Sequence, residues 1–216
     1  GRSNKIYYSN INPNSIDDLK FNSLSIHHEV KSLELLNSDV FFVGLSNGGR
    51  VISKIADINS DIVGDLIYVA SSSFMNKSKD LETDVSEKEV REFIGNNYPT
   101  IAKGQLQDFK YPEKFEGWDD KYEELLKYKG FARALISTTK NHYTMDEVHE
   151  NINNLNLPVY TSWGDSDNVV VYGEFSERLN ELLPNRNEYF ISNSGHLPHM
   201  ENQDEFNKVI LSILND

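Results

Sequence analysis

Hydrophobic positions along the chain alternate between short continuous runs and longer stretches with helical spacing. Four short runs, at 40–43, 66–70, 158–163 and 188–191, are rich in β-branched and aromatic residues. Runs of this length are typical of strands that are buried on both faces of a parallel sheet. We therefore expect these four segments to be neighbouring strands of one sheet.

Amphipathic helices are predicted around these runs. Apolar residues recur with helical spacing at Val51, Ile52, Ile55 and Ala56, directly after the first run. Similar faces are formed by Leu19, Leu24, Val30, Leu33 and Leu36 before the first run, by Phe175, Leu179, Leu182 and Leu183 after the third, and by Phe206, Val209, Ile210 and Ile213 after the fourth. Strands that alternate with helices predict an α/β fold, a doubly wound and mostly parallel sheet in a single domain spanning 1–216.

The stretch 74–156 interrupts this alternation, because it is too long for one crossover connection and contains no convincing strand. Its helix signals are capping boxes at Ser86 with Glu89 and at Thr144 with Glu147, and short amphipathic segments at 122–126, closed by Gly130, and at 131–136. We interpret 74–156 as a helical insertion that lies over one end of the sheet.

The composition and net charge of the chain limit which kinds of binding partner are expected. The 216 residues are 38% hydrophobic and 25% charged, with a formal net charge of −13. Such a chain should fold as a globular domain and repel phosphate backbones, so we expect no nucleic-acid partner. Many of the acidic residues are interpreted as a solvated helix face. They are Asp80, Glu82, Asp84, Glu87, Glu89 and Glu92. No apolar run approaches the ~20 residues of a membrane span.

The chain contains no cysteine. Disulfides, thiolate metal sites and a cysteine nucleophile are therefore excluded, and a reducing, cytoplasmic location is expected. The six histidines lack ligand spacing such as His-Glu-x-x-His. We expect neither a metal nor an organic cofactor.

Ser46 lies in the segment Gly44-Leu45-Ser46-Asn47-Gly48, which has the pattern Gly-x-Ser-x-Gly. A predicted strand precedes it and a helical pattern follows, which is the setting of a nucleophile elbow. The sharp turn needs flanking residues almost without side chains. In such a turn the backbone N–H of Asn47 can point at a developing oxyanion. The alternative, a nucleotide-binding turn, lacks both Gly-x-Gly-x-x-Gly and the Walker lysine.

A serine nucleophile needs a base, and the base needs an acid that orients it. Asp167 and its rival Asp165 follow the third predicted strand, whereas His196 and the second choice, His199, follow the fourth. The carboxyl ends of parallel strands meet at one edge of a sheet, so these side chains should lie near Ser46. His142 and His149 fall in the insertion, where surface or substrate-lining roles are expected.

Three segments together resemble the signatures of the α/β-hydrolase superfamily: 44–48, Trp163-Gly164-x-x-Asp167, and the segment from Gly195-His196 to Glu201. The chain is similar to the cap-bearing branch, with its meta-cleavage hydrolases, proline iminopeptidases, monoacylglycerol lipases and small carboxylesterases. The resemblance implies that Ser46 is the nucleophile, Asp167 the acid and His196 the base, and that the insertion is the cap.

The resemblance also implies elements that this chain does not show. About four strands precede the elbow in the family, and a loop after the third supplies a second oxyanion donor. Residues 1–3, Gly-Arg-Ser, are similar to the tail of the turn after the fourth strand. We therefore expect an α/β-hydrolase fold that lacks its first strands, with an exposed edge at 40–43 through which the chain self-associates.

The function implied by the resemblance is hydrolysis of a small or medium carboxylic ester, apolar in character, or of a related acyl bond, through an acyl-Ser46 intermediate. Cleavage of C–C, amide or thioester bonds stays open, because one triad serves all of them. A non-catalytic binding module or an inactive truncated remnant is the alternative. Six aromatic residues either line an apolar cavity or pack the insertion's own core: Phe93, Tyr98, Phe109, Tyr111, Phe115 and Trp118.

Overall fold

A computed structural model describes residues 40–76 and 83–215. Its four strands are β1 (Phe41–Leu45), β2 (Asp65–Val69), β3 (Val159–Gly164) and β4 (Asn187–Ile191). All neighbouring pairs are parallel, and the order is β1-β2-β3-β4. The predicted parallel sheet is therefore confirmed, with strand ends within two residues of the apolar runs. The predicted helix containing Leu19 to Leu36, the turn at 1–3 and the acidic residues Asp80 and Glu82 lie outside the described residues.

Eight α-helices lie in the described part of the chain. They are α1 (Gly48–Ile58), α2 (Glu87–Gly104), α3 (Trp118–Leu126), α4 (Phe131–Lys140), α5 (Asp146–Asn154), α6 (Ser176–Leu182), α7 (Pro198–Glu201) and α8 (Gln203–Asn215). No helix in these described ranges is both long enough and apolar enough to cross a membrane.

Alternation along β2 divides the core into two layers. Leu66 and Tyr68 face a large cluster with apolar residues of α1, α5 and α6, whereas Ile67 and Val69 face a smaller cluster with Ile213 of α8. Successive strand residues point to opposite faces, so the continuous apolar run of β2 fills both layers. The sheet thus carries helices on both faces, as a doubly wound fold requires.

The segment between β2 and β3 contains α2 to α5 and no strand among its described residues. Helix α2 begins with the predicted capping box: the Ser86 hydroxyl accepts the N–H of Glu89, and the Glu89 carboxylate accepts the N–H of Ser86. Lys140 of α4 also binds Glu89, and this ion pair together with the bonds from Ser86 lowers the pKa of that carboxyl to about 2. These contacts join α2 to α4.

Two local predictions in this segment are wrong. Helix α5 has Met145 as its N-cap with no side-chain capping bond, so Thr144 forms no capping box. Gly130 does not close α3, which ends at Leu126 with Lys127 as its C-cap. Gly130 instead precedes α4 with φ of +93°, a left-handed conformation that glycine adopts at little cost.

The aromatic residues of the segment pack against one another. Phe109 is buried, stacks on Phe115 with ring centroids 3.9 Å apart, and meets Trp118 edge-on at 5.6 Å. Phe93 meets Tyr98 at 6.3 Å. These contacts favour a small core of the segment itself over an open aromatic cavity.

Candidate active site

Ser46 occupies a sharp turn between β1 and α1. Its φ is +49°, a left-handed conformation that is strained for a serine. The turn is held by bonds from Ser46 N–H to the Val69 carbonyl (2.9 Å) and from Ser72 N–H to the Ser46 carbonyl (3.2 Å). A Cβ on Gly44 would lie 2.7 Å from the backbone of Gly48, so only glycine fits there.

The expectation that the flanking residues are almost without side chains has a direct steric cause at Gly44, whereas the surroundings of Gly48 are less crowded in the described part of the chain. A Cβ built on Gly48 meets no atom of the described residues within 4 Å outside its own helix. Within residues 40–76 and 83–215, the backbone of Gly48 therefore crowds the space beside Gly44, but a Cβ on Gly48 is not crowded in the same way. The close backbone approach in this turn is therefore at Gly44, two residues before the serine.

Asp167 is held in a fixed orientation after β3. Its Oδ1 accepts the backbone N–H groups of Val169 (2.8 Å) and Val170 (2.9 Å), and its side chain is only 2% exposed. The remaining oxygen, Oδ2, lies 2.9 Å from Nδ1 of His196. The carboxylate is thus anchored by the backbone on one side and faces the imidazole on the other.

Asp165, the rival acid, has different partners. It accepts the N–H groups of Asn193 (2.9 Å) and Ser194 (3.3 Å), the Ser166 hydroxyl (2.8 Å) and the Lys110 ammonium (3.1 Å). Burial alone would raise the pKa of Asp165, but these hydrogen bonds together lower it. Asp165 therefore acts as an anchor between loops.

His196 is buried in the loop after β4, and its backbone N–H donates to the Asp108 carbonyl at 2.7 Å. His199 lies in α7, with its ring 6.0 Å from that of Phe206. Burial, and then the nearby charge of His196, lowers the pKa of His199. Of the two histidines, only His196 is bonded to Asp167 in the described structure.

The structure joins Asp167 and His196 by a hydrogen bond. Among the described residues, Ser46 Oγ and the His196 ring are not joined by a hydrogen bond. Catalytic hydrogen bonds are often long in unliganded sites and tighten only with substrate. The roles of Ser46, Asp167 and His196, and that of the Asn47 N–H, stay predictions.

Sequence reasoning considered only Phe109 of the segment 107–110 and missed that this segment lies against both loops. Besides the Lys110–Asp165 pair and the Asp108 carbonyl, the Gln107 carbonyl accepts from the Asn168 side chain at 3.4 Å. Burial raises the pKa of the Asp108 carboxyl, attraction to His196 lowers it, and repulsion from Asp167 raises it further. No periodicity or motif marks this segment, so the sequence held no signal for it.

His149 is not at the surface, contrary to one of the two expectations for it. It is fully buried with Nε2 3.2 Å from the Ser53 hydroxyl, which also lies 2.9 Å from the Tyr68 hydroxyl. Its ring packs 4.6 Å from that of Phe74. Burial, and then the charge of Arg50, lowers the pKa of His149 to about 3, so this core histidine is neutral.

Within 40–76 and 83–215, no group of three histidine or acidic side chains is arranged to hold a metal ion.

Comparisons with known proteins agree with this architecture. No family model matches the chain. Monoacylglycerol lipase ABHD6 of Mus musculus is 24% identical over 217 residues, which are 93% of this chain and 62% of the lipase. The chain thus spans less than two thirds of the length of this curated relative.

Two solved structures superpose closely on the chain. An esterase from Exiguobacterium antarcticum has a TM-score of 0.70 at 17% identity and covers 94% of this chain and 75% of its own. The 2-hydroxy-6-oxo-6-phenylhexa-2,4-dienoate hydrolase of Rhodococcus sp. strain RHA1 has a TM-score of 0.73 at 14% identity. The match covers 97% of this chain and 75% of the hydrolase chain. At such identities the likeness shows the fold: this chain has the α/β-hydrolase fold.

Proposed function

We propose that the protein is a serine hydrolase that cleaves a carboxylic ester through an acyl-Ser46 intermediate. The observation that carries the proposal is the 2.9 Å bond between Asp167 Oδ2 and His196 Nδ1, at the sheet edge where Ser46 stands in its left-handed turn. An anchored acid, a buried imidazole and a strained serine, each after a parallel strand, are the parts that acyl transfer requires.

In this mechanism, His196 Nε2 takes the Ser46 proton as Oγ attacks the ester carbonyl. Asp167 keeps the other ring proton on Nδ1 and stabilises the imidazolium. The Asn47 N–H faces the tetrahedral oxyanion. His196 then protonates the leaving alcohol, and water, activated by the same imidazole, releases the acid from Ser46.

The relatives support an ester as the bond cleaved. The similar proteins include a monoacylglycerol lipase and an esterase, and the 2-hydroxy-6-oxo-6-phenylhexa-2,4-dienoate hydrolase shares the fold. We therefore propose a small or medium apolar ester as the substrate class, in a pocket bordered by the inserted segment, which would act as the cap.

Hydrolysis of a series of p-nitrophenyl esters tests this proposal. We expect turnover by the protein and a loss of about 10⁴-fold or more in Ser46→Ala. Ser212→Ala is the matched control, because among the described residues the Ser212 hydroxyl donates to the Val209 carbonyl within its own helix and to no other group. Equal turnover by Ser46→Ala and the protein would overturn the proposal.

The second candidate is a binding module without catalysis, which is favoured by the lack, among the described residues, of a hydrogen bond between Ser46 Oγ and the His196 ring. A folded protein that hydrolyses no ester and whose Ser46 reacts with no acylating or phosphonylating probe would support that candidate instead.

A further inference from the structure

Two consecutive peptide N–H groups hold the loop that carries His196. The Gly195 N–H donates to Glu201 Oε1 at 2.6 Å, and the His196 N–H donates to the Asp108 carbonyl at 2.7 Å. Both residues are buried. The position of the imidazole therefore depends on Glu201 and on the inserted segment as well as on Asp167.

The Glu201 carboxylate also binds the inserted segment. Its second oxygen, Oε2, accepts the Lys110 N–H at 2.8 Å, so one carboxylate bridges two backbone donors from distant parts of the chain. We call this pair of bonds the Glu201 bridge. Charge-assisted bonds of this kind are shorter and stronger than those between neutral groups.

The contact between the two segments is too close for any side chain at Gly195. A Cβ there would lie 2.6 Å from the Asp108 carbonyl oxygen and 2.9 Å from the Lys110 nitrogen. Glu201 is itself fixed to the same loop, because its N–H donates to the Leu197 carbonyl at 3.1 Å. The bridge therefore clamps the inserted segment directly onto the backbone beside His196.

We propose that Glu201 is a positioning residue for His196: its carboxylate clamps the segment 108–110 against Gly195 and so fixes the imidazole for proton transfer with Ser46. This inference rests on the function proposed above. Asp167 fixes the ring through Nδ1, and the Glu201 bridge fixes the backbone from which the ring extends.

Replacement of Glu201 removes the bridge in two graded steps. Glutamine keeps one acceptor oxygen but turns an NH₂ group toward the second N–H, whereas alanine leaves both N–H groups without their acceptor. Misplacement of a catalytic group by ~1 Å can cost about 100-fold in rate. We expect Glu201→Ala to lower kcat by about 10- to 100-fold, with KM for a small ester changed less than about twofold. The kcat of Glu201→Gln should lie between that of Glu201→Ala and that of the unchanged protein.

The rate at which a fluorophosphonate probe labels Ser46, followed by intact mass, separates positioning from loss of folding. A positioning defect slows labelling but leaves its endpoint at one adduct per chain. A purely structural defect lowers the endpoint and the thermal midpoint, while the folded fraction labels at the original rate.

Glu205→Gln is the matched control. Glu205 lies four residues further along, and it also binds loop backbone, through the Ser192 N–H at 3.0 Å, and the Asn202 side chain at 2.8 Å. It makes no hydrogen bond to Gly195 or Lys110 within the described residues. We expect its labelling rate to stay within about twofold of that of the unchanged protein.

The outcomes distinguish this inference from the proposed function. Labelling that is lost in Ser46→Ala but proceeds at an unchanged rate in Glu201→Ala would overturn the role of Glu201 alone. The role of Glu201 would also be overturned if labelling were slowed in Glu201→Ala and slowed to the same extent in Glu205→Gln. Failure of the unchanged protein to label would overturn the proposed function and this inference together.

Discussion

At the scale of single residues, two neighbouring aspartates differ through their hydrogen-bond partners. Asp167 Oδ1 is occupied by the N–H groups of Val169 and Val170, which leaves Oδ2 for His196. The carboxylate oxygens of Asp165 accept hydrogen bonds from the loop that follows β4 and from Lys110. One carboxylate thus faces the imidazole of His196, and the other holds loops together.

The pair Asp167→Asn and Asp165→Asn tests this division. In Asp167→Asn, the amide oxygen stays on the two backbone N–H groups, so the NH₂ group faces His196 and forces the ring proton onto Nε2. The imidazole then cannot accept the Ser46 proton, and we expect a loss of kcat of about 10³- to 10⁴-fold. In Asp165→Asn we expect less than about tenfold loss of kcat, with a destabilisation of about 1 kcal/mol.

Ester hydrolysis and thermal unfolding of the two variants measure both effects. Equal losses of kcat in the two variants would contradict the assignment of the acid.

At the scale of elements, the joint between β1 and α1 combines a strand, a strained serine and a helix start. A Cβ on Gly44 would clash with backbone atoms of Gly48 and Gly49, which cannot move without displacing the helix. The same addition at Gly48 meets none of the described atoms within 4 Å outside its own helix. In the described part of the chain, the joint is therefore more crowded on its strand side than at Gly48.

We expect Gly44→Ala to destabilise the protein by about 1–3 kcal/mol, because the added methyl overpacks the turn. Gly48→Ala should change stability by less than about 1 kcal/mol, and in the stabilising direction if helix propensity decides. Urea unfolding of the two variants compares them. A larger loss in Gly48→Ala than in Gly44→Ala would contradict the described turn.

The elements themselves were largely predictable from the sequence, because local patterns determine them. The apolar runs located the strands, the spacing of Val51, Ile52 and Ile55 located α1, and Ser86 with Glu89 marked the start of α2. Thr144 failed as a cap since its motif competes with a helix that starts one residue later, at Asp146. A capping motif reflects a local preference for a helix start, and tertiary packing decides at which of the possible positions the helix begins.

The inserted segment's contacts with the site were not predictable. Lys110 meets Glu201, and Asp108 meets His196, across about ninety residues of chain with no repeating pattern. Motif spacing placed Asp167 and His196 after the correct strands, but it left Asp165 and His199 as rivals. Only the three-dimensional structure shows which pair is bonded.

At the scale of the whole molecule, the candidate site draws on loops after β1, β3 and β4 and on the inserted segment. The core beneath it contains a polar cluster of Ser53, Tyr68 and His149 within aromatic packing. A neutral histidine in such a place ties the stability of the fold to pH.

The pKa of His149 is about 3 in the folded protein and near 6.5 when unfolded. Because the folded pKa is the lower one, the unfolded state binds more protons between these values. The contribution of His149 is therefore fully present above about pH 6.5 and is lost as the pH falls toward 3, with a slope of up to about 1.4 kcal/mol per pH unit.

Urea unfolding between pH 7.5 and 4.5 measures this slope in the protein and in His149→Gln. We expect a shallower pH dependence in the variant, whatever its stability at pH 7.5. An identical slope in both proteins would contradict the neutral, buried state of this histidine.

The central claim is that Ser46 is an activated nucleophile served by His196 and Asp167. Its most direct test is the intact mass of the protein and of Ser46→Ala after exposure to a fluorophosphonate probe, with folding of both verified. The account predicts one adduct on the protein, located on Ser46, and none on the variant. A folded protein that gains no adduct, or a variant that is labelled equally, would contradict it.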